Sequence, residues 1–143
     1  MSRHREKARR RGAVGVVVRA GKLLVIRRSQ FVVAPGRYCF PGGAIEAAES
    51  EEEALVREIR EELNVEIRPQ RRIWRSVTPW NVELAWWLGQ LADGAEPVPN
   101  QAEVESVHWY TPAGMTRLAG LLESNLAFLD ALSAGEVSLN PPE

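Results

Sequence analysis

A single cysteine, Cys39, stands among 143 residues, so no intramolecular disulfide can form, and no grouping of Cys and His falls at zinc-ligand spacing. Disulfide-stapled scaffolds and zinc modules are thereby excluded, and a reducing, cytoplasmic setting is the expectation. Long apolar runs are also missing. The run Ala13 to Val18 follows a basic stretch, as a signal peptide would, but Arg19 ends it before it reaches the usual span of about 7–15 residues. No segment approaches the roughly 20 apolar residues needed to cross a bilayer, so neither a targeting peptide nor a membrane span is expected. Internal repeats and low-complexity linkers are absent as well, which argues against a solenoid or a multi-domain string.

Hydrophobic residues make up 45% and charged residues 26% of the chain, the balance of a soluble globular protein with one ordinary core. The net charge of -1 conceals an asymmetry. The stretch Ser2 to Arg11 carries Arg3, Arg5, Lys7, Arg9, Arg10 and Arg11 against Glu6 alone, so the remainder is acidic. Residues 1–11 read as a disordered basic arm, either a solubilising tail or a contact for RNA. Residues 12–134 read as one domain, and residues 135–143, ending in Asn140, Pro141 and Pro142, as a tail.

Within the domain, Ala13 to Ala20 and Lys22 to Arg28 are β-rich runs separated by Gly21, the pattern of a hairpin. Ser29 to Gly43 reads as loop, with a short strand around Tyr38 to Phe40. From Ser50 to Leu63 the period becomes helical: Ser50 and Glu53 form a capping box, and Leu55, Val56, Ile59 and Leu63 recur on one side. Asn64 sits where a helix ends in the left-handed conformation. Val65 to Ile67, Ile73 to Val77, Val82 to Leu91 and Val104 to Tyr110 are strand candidates. Thr111 and Pro112 open a helical stretch from Ala113 to Leu122, and a last helix runs from Glu123 to Leu132. Interleaved strands and helices predict a layered α/β domain.

Chemistry concentrates on the capped helix. Glu58, Glu61 and Glu62 are three and four residues apart and leave one helix face towards a common point. Each like-charge pair costs about 0.2–0.5 kcal/mol even when exposed. A hard divalent cation, which takes oxygen ligands and bridges carboxylates to phosphates, would remove that cost. A solvated acidic face balanced by Arg57 and Arg60 would also account for the three residues.

The surrounding sequence resolves this choice by resemblance. Gly43, Glu49, Arg57, Glu58, Ile59, Glu61, Glu62 and Val65 fall at the spacing of the Nudix hydrolase motif, with Asn64 in place of its last glycine. At ordinary residue frequencies such a match arises by chance with odds on the order of 10⁻⁵. The preceding Phe40-Pro41-Gly42-Gly43, the hairpin ending in Arg27-Arg28 and Trp109 before Thr111-Pro112 are similar to the same family, over roughly residues 13 to 132. The resemblance implies a Nudix-type α/β/α sandwich with a mixed β-sheet between helices. It implies an enzyme that hydrolyses a diphosphate linkage with Mg²⁺, Mn²⁺ being the alternative ion. Glu58, Glu61 and Glu62 would hold the metal with the Gly42 carbonyl, Glu58 and Glu61 would be the catalytic carboxylates with Glu58 the first choice of general base, and Glu103, ahead of Glu105, would join from the late loop. Gly43, Glu49 and Arg57 would be structural, the last two as an ion pair.

Phosphate recognition falls to Arg28 and Arg37. Trp80, Trp86, Trp87, Phe31 and Tyr38 are the aromatic candidates for base stacking, Tyr38 the one assigned to substrate. Trp86 and Trp87 are adjacent in a strand and must face opposite ways, so at least one belongs to the core. The chain lacks the downstream signatures of NADH-cleaving and coenzyme-A-cleaving members. A short MutT-like layout with nucleoside triphosphates as substrate is the preferred reading, and ADP-ribose or a nucleotide sugar the alternative, as is a non-hydrolysing nucleotide-binding module. A nucleotide-like small molecule is the expected partner, acting on a monomer or homodimer.

Overall fold

A computed structural model describes residues 9–140. Residues 1–8, most of the expected basic arm, and residues 141–143 lie outside the described range. The strands β1 (Arg10–Arg19), β2 (Lys22–Arg28), β3 (Tyr38–Cys39), β4 (Gly42–Ala44), β5 (Ile67–Val77), β6 (Val82–Leu91) and β7 (Val104–Tyr110) form one mixed sheet. Its path runs β3-β2-β1-β6-β5, with β4 paired to β1 and β7 to β2. β1 and β6 are parallel and the other pairs antiparallel.

Helix α1 (Glu51–Leu63) covers one face, and α2 (Pro112–Thr116) and α3 (Glu123–Ser133) lie on the other. Two cores follow from this layering. Ala54, Leu55, Ile59 and Leu63 of α1 pack with Ala13, Val17, Leu24 and Ile26 of the sheet. On the opposite face Met115, Phe128 and Leu129 pack with Val14, Val16, Leu23, Val25 and Trp86. Trp86 is fully buried there while Trp87 packs against the first core, the alternation a strand imposes. At α1, Ser50 accepts the Glu53 N–H at 3.0 Å and Glu53 accepts the Ser50 N–H at 2.8 Å. Asn64 closes the helix at φ 55°, ψ 33°.

The differences from the sequence reading have physical causes. β1 begins at Arg10, inside the stretch read as an arm, because residues 10–12 find hydrogen-bonding partners on β6 and β4. The Gly42–Ala44 segment, read as loop, becomes a strand through pairing with Gly12–Val14. The two runs flanking Pro69 are one edge strand, where a residue without an N–H is tolerated, and the register shifts around it. The helix expected over Ala113 to Leu122 stops at Thr116. Its remainder is drawn onto β3, with Tyr38 donating to the Gly120 carbonyl and Leu122 donating to the Tyr38 carbonyl, both at 3.0 Å. The segment expected as a tail from residue 135 is packed: Val137 is buried, Leu139 joins the second core, and Arg71 donates to the carbonyls of Ser138 and Asn140.

Candidate active site

The site forms where β4 passes the middle of α1. Gly42 holds φ +148°, and a side chain there would strike the Ala13 carbonyl oxygen at 2.2 Å, so only glycine fits between β1 and the helix. At Gly43 an added Cβ would lie 2.3 Å from the Glu58 carboxyl carbon, which shows how closely that side chain lies against the strand. One helical turn on, Glu62 is buried and accepts the Gly42 N–H at 3.0 Å.

Burial governs the electrostatics of these groups. It pushes the Glu62 carboxyl up to about 8; the Gly42 N–H and Arg28 counter it, while the charges of Glu58 and Glu103 add to it. Burial also raises Glu58, against the pull of Arg57 and with a further push from Glu61 and Glu103. Glu103 is therefore the late-loop acid that shares the field of the site. Glu105 is turned away and paired with Arg27 at 3.0 Å.

Arg57 organises the periphery. Its guanidinium grips Glu49 through two bonds of 2.7 and 2.9 Å and donates to the Ala44 carbonyl at 2.9 Å, tying the loop ahead of α1 to the helix. The same group reaches Glu58 at 2.9 Å and the half-exposed Glu61 at 3.4 Å. The Arg57 hydrogen bonds hold the Glu49 carboxyl down to about 2. Because Arg57 draws Glu58 and Glu61 to itself, the three motif glutamates do not close around one point. Among the described residues no three carboxylate, histidine or cysteine groups are gathered as a ready cation cage. The donor set nevertheless fits Mg²⁺: the groups are carboxylates and backbone oxygen, and the charge of Glu103 raises the affinity of both Glu58 and Glu62 for positive charge.

A cleft of about 350 Å³ opens over Gly42, Gly43 and Ala44, within the range of small-ligand sites. Its lining includes Arg28 and Cys39, Trp80, Val82 and Leu84, and Leu122, Ser124 and Asn125 at the start of α3. Arg28 is aimed by a 2.7 Å bond from its Nε to the Val33 carbonyl. Cys39 is buried, and that burial lifts its thiol to about 11, so it is no nucleophile at neutral pH.

Arg37 and Tyr38, expected to bind substrate, do not line this cleft. Arg37 donates to the carbonyls of Gly120 and Leu121 at 2.7 and 3.1 Å and thereby pins the connection between α2 and α3. Tyr38 packs edge-on to His108 and Tyr110. It belongs to the face of β3 opposite Cys39, so strand alternation sends the two neighbours to different sides. Phe31 is 83% exposed on the loop after β2 and is not part of the lining. Trp80, 55% exposed on the turn between β5 and β6, is the aromatic that overlooks the cleft.

Sequence reasoning missed Asn125, whose buried carboxamide oxygen accepts the Phe40 N–H at 2.7 Å and anchors α3 to the strand leading into the site. It also missed Arg10 and Arg11 in the lining. Asn125 follows Glu123 and Ser124 at the polar start of an amphipathic helix, which gave no distinctive signal. For the two arginines the strand start gave none.

The NUDIX domain family model matches residues 9–132. Over 95 residues the chain is 35% identical to the NAD-capped RNA hydrolase NudC of Stutzerimonas stutzeri (strain A1501), covering 66% of this chain and 34% of that protein. It is 36% identical over 104 residues to a Nudix hydrolase of Deinococcus radiodurans, covering 64% of this chain and 57% of that protein. The chain thus spans about a third of the length of the NudC relatives it matches. In fold it is similar to the MutT protein from Methanosarcina mazei Go1, with a TM-score of 0.77 at 18% identity, covering 93% of this chain and 99% of that one. No helix among the described residues is long and apolar enough to cross a membrane.

Proposed function

This chain belongs to the Nudix family, and from that premise we propose that it is a magnesium-dependent pyrophosphohydrolase acting on a nucleoside diphosphate derivative, with nucleoside triphosphates preferred. The observation that carries this reading is that two partly desolvated carboxylates, Glu58 and Glu62, lie against Gly43 and Gly42, the same glycines that line a nucleotide-sized cleft.

Glu58, Glu61, Glu62 and Glu103, with the Gly42 carbonyl, would hold the cation. When bound, Mg²⁺ neutralises phosphate oxygens and lowers the pKa of an attacking water. Glu58 serves as general base: burial raises its carboxyl above the ordinary glutamate value, in the direction a proton acceptor requires. Glu61, more exposed and held by Arg57, acts beside it. Arg28, braced by Val33 and lining the cleft, orients the second phosphate. Trp80 offers a face on which the base stacks, and stacking accepts any base. Arg57 and Glu49 position the loop without touching substrate.

A panel of nucleoside triphosphates, ADP-ribose, nucleotide sugars, dinucleoside polyphosphates and NAD, with products identified, tests the reading. Release of nucleoside monophosphate and pyrophosphate from triphosphates with Mg²⁺ supports it. The likeness to the NAD-capped RNA hydrolase NudC of Stutzerimonas stutzeri supports a second reading, in which the linkage cut joins two nucleosides, and faster cleavage of NAD or ADP-ribose would favour it. No hydrolysis of any member with Mg²⁺ or Mn²⁺ would leave a nucleotide-binding module.

A further inference from the structure

The last turn of α1 leaves the carbonyls of Glu61, Glu62 and Leu63 without partners inside the helix. The loop ahead of β7 supplies all three. Val98 donates its N–H to the Leu63 carbonyl and Asn100 its N–H to the Glu62 carbonyl, both at 2.8 Å, and Asn100 Nδ2 donates to the Glu61 carbonyl at 3.2 Å. Two of the helix residues held in this way are the motif glutamates themselves. The Asn100 carboxamide goes beyond capping. Its Nδ2 also donates to a Glu103 carboxylate oxygen at 3.3 Å, and its Oδ1 accepts the Ala102 N–H at 3.2 Å. These partners fix the orientation of the carboxamide: its nitrogen faces a carbonyl and a carboxylate, which only accept, and its oxygen faces an N–H, which only donates. The same loop is held by Ser29, buried just after β2, which donates its N–H to the Glu103 carbonyl at 3.1 Å and its hydroxyl to the Ala102 carbonyl at 2.9 Å.

We propose that Asn100 is a positioning residue for the metal site, setting the Glu103 carboxylate against α1 so that this acid acts on the cation together with the helix glutamates. The inference rests on the hydrolase reading above and deepens it. Glu103 is the one acid of the set that α1 does not carry, so its place depends on what ties its loop to the helix. Its charge is repelled by those of Glu58 and Glu62, and an untethered acid on a loop would turn towards solvent. Asparagine suits the tether. Its single Nδ2 carries two hydrogens, one for the helix carbonyl and one for the carboxylate, while the attached oxygen fixes the turn. Aspartate offers no such hydrogen and serine only one. A neutral amide also holds Glu103 without discharging it, whereas a guanidinium such as that of Arg27 on Glu105 would compete with a cation for the carboxylate. Removing a hydrogen-bond partner of a metal ligand typically costs about 10–100-fold in metal affinity.

The test is a double-variant cycle on the full chain, with Mn²⁺ affinity read by electron paramagnetic resonance in the absence of nucleotide and melting followed without metal. Asn100→Ala should weaken Mn²⁺ binding by about 10–100-fold. In the Glu103→Ala background the same substitution should change it by less than about twofold, because the carboxylate it positions is gone. A residue that only capped the helix would lower the melting temperature and move Mn²⁺ affinity by one factor whether or not Glu103 is present. Should Asn100→Ala lose its melting transition, Asn100→Ser takes its place in the cycle with the same two expectations, since a serine hydroxyl makes a weaker version of the turn bond to the Ala102 N–H. Mn²⁺ binding unchanged by substitution at Asn100, or lowered equally with and without Glu103, would overturn the proposal. Absence of Mn²⁺ binding by the parent would instead contradict the metal-dependent hydrolase reading and remove the proposal with it.

Discussion

Two clusters built from the same residue types flank the cleft and carry opposite charge. Behind Gly42 and Gly43, the carboxylates of Glu58, Glu61, Glu62 and Glu103 outnumber the arginines that face them, Arg57 and Arg28. At the rim, Arg9, Arg11, Arg72 and Arg75 outnumber Glu51 and Glu83. Burial separates them further: Glu62 is 7% exposed, whereas the rim arginine side chains are 42–48% exposed. A buried anionic excess asks for a cation, and an exposed cationic excess screens and steers polyanions. The difference lies in which partners the fold supplies, since glutamate and arginine make up both.

The heaviest blow to the anionic cluster is Glu58→Gln, which removes the proposed base while keeping its shape. Turnover should fall by about 10²–10⁴-fold, the usual contribution of a positioned general base, with the melting curve little changed, and steady-state kinetics check it. Glu61→Gln should cost less, because Glu61 is half exposed and held only at 3.4 Å by Arg57. A ranking in which Glu61 matters more than Glu58 would move the base.

Gly43→Ala tests the closeness of strand and helix. Its methyl group would need the space now filled by the Glu58 carboxylate, and displacing a reacting group by about 1 Å can cost roughly 10²-fold. The fall should appear in kcat more than in KM.

Trp80→Ala touches the cleft's lip and leaves both charge clusters intact. Loss of a base stack, about 1–3 kcal/mol, should raise KM by roughly 5- to 150-fold at similar kcat. An unchanged KM would remove Trp80 from the substrate's path.

The smallest effect concerns the tie between loop and helix. Glu49 is depressed from 4.5 to about 2 by its bonds to Arg57. A depressed carboxyl stabilises the fold above the unfolded value of 4.5, and that contribution is lost as pH falls through about 2. Thermal unfolding between those limits should therefore show a shallower acid dependence for Glu49→Gln than for the parent.

Much of this frame could be read from the sequence wherever a signal is local. The hairpin of β1 and β2, both ends of α1, β6 and β7 rest on caps, turns and alternation contained in a few neighbouring residues. The pair of Glu49 and Arg57 could be expected only because the family motif spaces them. β4 was illegible, since Gly42-Gly43-Ala44 has no strand propensity and is made extended by β1. The separation of Arg28 from Arg37, and of Cys39 from Tyr38, depends on which face of the sheet fronts α1 and which fronts α3, a tertiary fact. The packing of Val137 and the capture of the Gly120 region by β3 depend equally on partners far away in the chain.

Everything said of the chemistry depends on the carboxylates behind Gly42 and Gly43 acting together on one divalent cation. Titration of the purified chain with Mn²⁺, followed by electron paramagnetic resonance in the presence and absence of nucleotide, measures this directly. The parent should bind the ion, Mg²⁺ should displace it, and the double variant Glu58→Gln/Glu62→Gln should lose that binding while retaining its melting transition. Equal Mn²⁺ binding by the parent and the double variant would contradict the account.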